Sequence, residues 1–123
     1  MNKNMSCVGV GVDIELIERF VLTPEFRKKS FLKNIFTARE LAYCLSKAKP
    51  AEHLAARFAA KEAITKALLS FGQKYRNFKT LEIWNTKTGI PRVRMFDSPN
   101  ISAKISLAHC KDKAIAFAVV TKK

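Results

Sequence analysis

The run between Pro50 and Gly72 limits the fold more than any other stretch of this chain. Alanine recurs at 51, 55, 56, 59, 60, 63 and 67, with a proline just before and a glycine just after. That pattern predicts a helix over roughly Ala51 to Phe71, started by proline and stopped by glycine. A helix with so many methyl side chains can approach its neighbours closely. It also carries Arg57, Lys61, Glu62 and Lys66. At i, i+4 spacing Arg57 lies over Lys61, and Glu62 over Lys66. A polar stripe on an otherwise buried helix predicts a wall facing a ligand, and cations beside one acid suit phosphate with a metal. An ordinary ion pair on an amphipathic helix explains the same residues equally well.

The first element is a strand. Val8, Val10, Val12, Ile14 and Leu16 alternate with Gly9, Gly11, Asp13 and Glu15. The aliphatic face is expected to pack on the core. The other face carries two glycines and then two acids, so a ligand or another backbone comes close there, with Asp13 at the end of the bare strip. Thr23-Pro24-Glu25 opens a helix to about Lys33. Thr37-Ala38-Arg39-Glu40 is a capping box for a short helix to about Leu45. After Gly72 the signals are strands: Leu81 to Trp84, Arg92 to Phe96 after a turn at Thr86–Gly89, Ala103 to His109, and Ala114 to Thr121. The last is apolar on both faces and is expected to be central. The order predicts an α+β fold, a single compact domain over residues 1–123 with a mainly antiparallel sheet and one long helix. Residues 1–5 read as a flexible extension.

At 123 residues the chain fits one core. No apolar run reaches the roughly 20 residues that span a bilayer, and the polar start is no signal peptide, so a cytoplasmic protein without a membrane partner is expected. Three scattered cysteines and two histidines argue against disulfides and zinc. The net charge of +13 is spread along the chain, with 11 Lys/Arg against 6 Asp/Glu up to residue 61 and 12 against 4 beyond it. The folded surface therefore attracts polyanions. A nucleic-acid-binding domain would explain that charge. It would not explain Glu62 among cations, where a carboxylate repels phosphate unless a metal bridges. RNP-like aromatic motifs and zinc-finger spacings are absent, so no nucleic acid is expected. Asp13 and Glu62 with a diphosphate would instead make a magnesium shell of carboxylate, phosphate and water oxygens.

In order along nearly the whole chain, five segments carry a resemblance. They are Gly9-Val10-Gly11-Val12-Asp13-Ile14 with Glu18-Arg19, and Phe36-Thr37-Ala38-Arg39-Glu40-Leu41 with Tyr43. Arg57-Phe58-Ala59-Ala60-Lys61-Glu62-Ala63 with Lys66-Ala67 follows, then Gly89-Ile90-Pro91 and Ser106-Leu107-Ala108-His109. The chain resembles the holo-[acyl-carrier-protein] synthases, the short class of 4′-phosphopantetheinyl transferases. The resemblance implies Mg-dependent transfer of the 4′-phosphopantetheine arm of coenzyme A to a serine of apo-acyl carrier protein, for fatty acid biosynthesis, with release of adenosine 3′,5′-bisphosphate. It implies Mg²⁺, with Mn²⁺ an alternative, held by Asp13 and Glu62. Glu62, or a water it orients, would take the serine proton, and Lys66 would contact the transferring phosphate. Arg57, Lys61 and His109 would hold the remaining phosphates, and Pro91 would line the adenine end. Arg19, Arg27 and Lys28 would dock the acidic carrier. The short length implies a homotrimer, with apolar strand faces as the interface and a cleft between neighbours. Two rival readings keep the site without this reaction. One is a non-catalytic module binding coenzyme A or a carrier protein, and the other is a magnesium-dependent nucleotide hydrolase.

Overall fold

Gly9 and Gly11 decide which way the first strand faces. In the computed structural model, β1 (Val8–Leu16) lays its glycine face against α4 (Pro50–Leu68). A Cβ on Gly9 would lie 2.1 Å from the carbonyl oxygen of Ala67, and one on Gly11 2.0 Å from that of Ala63. Only the absence of a side chain lets helix and strand meet backbone to backbone. The alanines of α4 complete the fit: Ala59, Ala60, Ala63 and Ala67 are buried. The helix continues as a 3-10 turn, Leu69–Phe71, and Gly72 ends it at φ 78°.

The structure describes residues 7–28, 30–73 and 77–123, without the side chains of Arg27 and Lys28. The expected extension over residues 1–5, and any docking by the Arg27 and Lys28 side chains, lie outside the described residues.

The expected facing of β1 is reversed. Val8, Val10, Val12, Ile14 and Leu16 are 41–59% exposed, while Gly9, Gly11 and Glu15 are buried. β5 (Lys113–Lys122) pairs antiparallel with β1 on one side and with β4 (Ile101–His109) on the other, so it is central, as its two apolar faces predicted. Its Ala114, Ala116, Ala118 and Val120 face the helix side, and Ile115 and Phe117 join the exposed aliphatic face. β2 (Leu81–Asn85) and β3 (Pro91–Met95) form a separate antiparallel hairpin across the Thr86–Gly89 turn. The mainly antiparallel α+β architecture is as expected.

Two cores flank α4. One joins Ile64 and Leu68 to Leu81, Ile83 and Val120. The other joins Leu54 and Ala55 to Phe20, Phe36 and Cys44. The expected helix from Thr23 to about Lys33 is two short ones, α1 (Pro24–Lys28) and α2 (Phe31–Ile35). The break lets Phe26 and Phe31 both reach Phe20, with ring centroids 6.3 and 6.2 Å away. The capping box of α3 (Ala38–Leu45) forms as read: Glu40 N donates to Thr37 Oγ1 at 3.2 Å and Thr37 N to Glu40 Oε1 at 2.9 Å. Cys7, Cys44 and Cys110 are free thiols, and of these only Cys44 is buried.

Candidate active site

Beyond the two glycines, β1 offers Asp13 and Glu15 to the same helix face. The side chain of Asp13 is 13% exposed, and its Oδ1 accepts from Lys66 Nζ at 3.2 Å. Lys66 Nζ also donates to the Val12 carbonyl at 3.0 Å, and half of its side chain remains in solvent. The other oxygen of Asp13, Oδ2, is buried with no hydrogen-bond partner. A buried carboxylate oxygen without a donor is unfavourable unless something positive completes it.

Neighbouring acids feel the same field. Burial, and then the Asp13 charge, push the Glu62 carboxyl above the usual carboxylate range, against the pull of Lys66. Glu15 is pushed up to about 7, first by burial and then by the neighbouring Asp13 carboxyl. Arg19 opposes that shift, with Nη1 2.8 Å from Glu15 Oε1. Burial prevails because most of the arginine side chain is in water, where its charge is screened.

This donor set fits a hard divalent cation. Asp13 and Glu62 supply carboxylate oxygens, one of them orphaned, and magnesium takes one or two carboxylates plus phosphate oxygens and water. Among the described residues, no three ligating side chains close a cage of their own. Such a cation would draw its remaining ligands from a phosphate and from water.

A second set lies on the other side of α4. Arg57 and Glu62 are five residues apart, about 140° around a helix axis. Arg57 is buried, donates from Nη2 to Asn85 Oδ1 at 2.5 Å, and lays its guanidinium 4.2 Å from the Tyr43 ring centre. Its Nε is buried without a partner. With His53, Asn85 and His109 it lines a cavity of about 140 Å³, to which neither Asp13 nor Glu62 contributes. His109 is exposed, with Nε2 3.9 Å from Glu52. Burial, then the Arg57 and Lys47 charges, lower the His53 pKa. Pro91 pairs with Asn85 across the hairpin, which ties the turn to the Arg57 cavity.

Lys61 is a correction. It was expected on phosphate, yet its side chain is fully buried. Its ammonium donates to Glu40 Oε1 at 2.6 Å, to the Ile35 carbonyl at 2.7 Å and to the Phe78 carbonyl at 2.9 Å. Three donors meet three acceptors, so none remains for a ligand. The other oxygen of Glu40 accepts from Ile83 N at 2.9 Å, so this pair joins α3, α4 and β2. Asn85 and His53 were not singled out from sequence. Nothing local marks them, because their place at the site comes from β2 and α4 meeting.

The sequence pattern of the 4′-phosphopantetheinyl transferase superfamily matches residues 9–119. A holo-[acyl-carrier-protein] synthase of Thermodesulfovibrio yellowstonii is 44% identical over 115 residues, covering 92% of this chain and 97% of that protein. The one of Protochlamydia amoebophila is 40% identical over 119 residues, covering 91% and 96%. A crystal structure of the Bacillus anthracis holo-(acyl-carrier-protein) synthase in complex with CoA (3′,5′-ADP) superposes with a TM-score of 0.79 at 29% identity, over 97% of this chain and 100% of that one.

Proposed function

The chain belongs to the holo-[acyl-carrier-protein] synthases of the 4′-phosphopantetheinyl transferase superfamily, and from that premise we propose how its own residues carry the transfer. The reaction moves the 4′-phosphopantetheine arm of coenzyme A to a serine of apo-acyl carrier protein. The serine oxygen forms a bond to the phosphorus that bears the pantetheine. The bond from that phosphorus to the bridging oxygen breaks, and adenosine 3′,5′-bisphosphate leaves. The observation that carries this reading is the buried, unpartnered Asp13 Oδ2 beside Glu62 and Lys66.

Asp13 and Glu62 would hold Mg²⁺, or Mn²⁺ in its place. When bound, the ion neutralises charge on the pyrophosphate oxygens and on the leaving group. Glu62, or a water it orients, takes the serine proton. Lys66, half exposed and already turned to Asp13, donates to the transferring phosphoryl group. Arg57 and His109 hold the remaining phosphate, with Pro91 beside the adenine. The Asp13 and Arg57 sets flank α4 on different sides, which supports a cleft shared between copies. The exposed aliphatic face of β1 and β5 is the surface that a cyclic homotrimer would cover. Arg19 docks the acidic carrier.

No helix among the described residues is long and apolar enough to cross a membrane. We place the protein in the cytoplasm, where coenzyme A and a soluble carrier would meet it.

Intact-mass spectrometry of an apo-acyl carrier protein incubated with this protein, coenzyme A and Mg²⁺ tests the reading. A phosphopantetheine-sized gain is expected. It should be absent with EDTA and with Glu62→Gln. Full gain with either would remove the assigned cation site.

A further inference from the structure

Asn85 lines the cavity beside Arg57, and its side chain is bonded at both ends. Its Oδ1 accepts from Arg57 Nη2 at 2.5 Å, and its Nδ2 donates to the Gly89 carbonyl at 3.3 Å. The turn that holds this carbonyl is itself tied. Gly89 N donates to the Thr86 carbonyl at 2.9 Å, Ile90 N to Thr86 Oγ1 at 3.0 Å, and Thr86 N to the Ile90 carbonyl at 2.9 Å. The turn therefore pins the amide, and the amide presents its oxygen to the guanidinium. On the helix side, that guanidinium lies 4.2 Å from the centre of the Tyr43 ring. The ring limits the tilt of the guanidinium plane, and Asn85 limits its rotation within that plane. An amide oxygen does this without cancelling the positive charge, whereas a carboxylate at the same place would pair with it. Arg57 Nε is buried and makes no hydrogen bond, so the oriented guanidinium still has a donor unused.

We propose that Asn85 is a positioning residue for the adenosine end of coenzyme A: it orients Arg57 from the hairpin turn and, being neutral, leaves the guanidinium charge to the phosphate on the ribose 3′ oxygen. The cation takes the pyrophosphate, so this is the phosphate that remains for Arg57. It meets a guanidinium already set in place, and the cost of ordering a long side chain does not fall on binding. Asn85 also pairs with Pro91 across the hairpin, so the phosphate side and the adenine side share one frame. The inference rests on the phosphate role of Arg57 proposed above.

The test reads ligand affinity in EDTA, so the cation site takes no part. Adenosine 3′,5′-bisphosphate and adenosine 5′-monophosphate are titrated by calorimetry into the wild type, Asn85→Asp, Asn85→Leu, Arg57→Ala and the double variant Arg57→Ala with Asn85→Leu. Urea unfolding is run on each. The wild type should prefer the bisphosphate. Asn85→Asp and Asn85→Leu should each cut that preference about tenfold, the size of one hydrogen bond to a charged group. Asn85→Asp should nonetheless unfold at higher urea than Asn85→Leu, because its carboxylate still ties Arg57 to the hairpin. A purely structural role predicts that Asn85→Asp keeps the preference along with the tie. Wild-type preference in Asn85→Asp therefore overturns the proposal, and that variant decides even where Asn85→Leu does not fold. A further loss of preference when Asn85→Leu is added to Arg57→Ala also overturns it, since Asn85 would then touch the phosphate itself. A wild type without preference, or Arg57→Ala with all of it, would overturn the phosphate role of Arg57, and this inference with it.

Discussion

Glu15 makes the fold sensitive to pH without any ligand. Its carboxyl titrates near 4.5 when unperturbed and at about 7 in the fold. A raised carboxyl pKa means the folded state holds its proton more tightly than the unfolded one. The stability linked to it is complete below about pH 4.5 and is lost as pH rises through about 7. Metal-free protein should lose about 1–3 kcal/mol across that window, read from urea midpoints in EDTA. Glu15→Gln should flatten the profile, and a profile unaltered by the substitution would sink the assignment. Asp13, Glu62 and Lys66 were legible in the sequence, because an acid after Gly-x-Gly and an acid among cations are both locally odd. Glu15 was visible only as a second acid on the strand. Its burial and its Arg19 partner depend on how the chain turns into the 3-10 segment Ile17–Phe20.

Elements meet here through backbone and through one buried ion pair. The Lys61–Glu40 pair fixes α4 against α3 and β2, with every donor of the ammonium used. Lys61→Ala leaves a buried carboxylate with less than its set of partners, and should cost about 3–5 kcal/mol in chemical denaturation. A stable Lys61→Ala variant that loses only coenzyme A affinity would restore the phosphate role. The same logic applies to β1. Gly11→Ala would drive a methyl into the Ala63 carbonyl, and should cost about 1–3 kcal/mol in the same measurement. Most elements were legible: the capping box at Thr37, the apolar-faced β5 and the alanine-rich α4. The facing of β1 was not. Hydropathy scores valine as the residue to bury, whereas glycine buries backbone and carries no apolar side chain to announce it. Lys61 was misread because its partner stands 21 residues away, on a different helix.

At the scale of the molecule, a sheet face of Val8, Val10, Val12, Ile14, Ile115 and Phe117 stands open on a chain of net charge +13. Light scattering should give three times the 13.9 kDa chain mass. Val12→Glu with Phe117→Glu should reduce it to one and remove transfer, leaving β1 and its glycine contacts in place. A fully active monomer would show the cleft to be complete within one chain. The charge helps at longer range: matched charge mainly speeds encounter with an acidic carrier, so the apparent on-rate should fall as salt is added. The open face has a further effect on behaviour in dilute solution. The cleft proposed between copies would exist only where copies meet, so on that proposal output per chain should fall once the protein is diluted below its assembly threshold. Supply of modified carrier would then follow expression more steeply than in proportion, and a modest drop in synthesis of this chain would act as an off-switch.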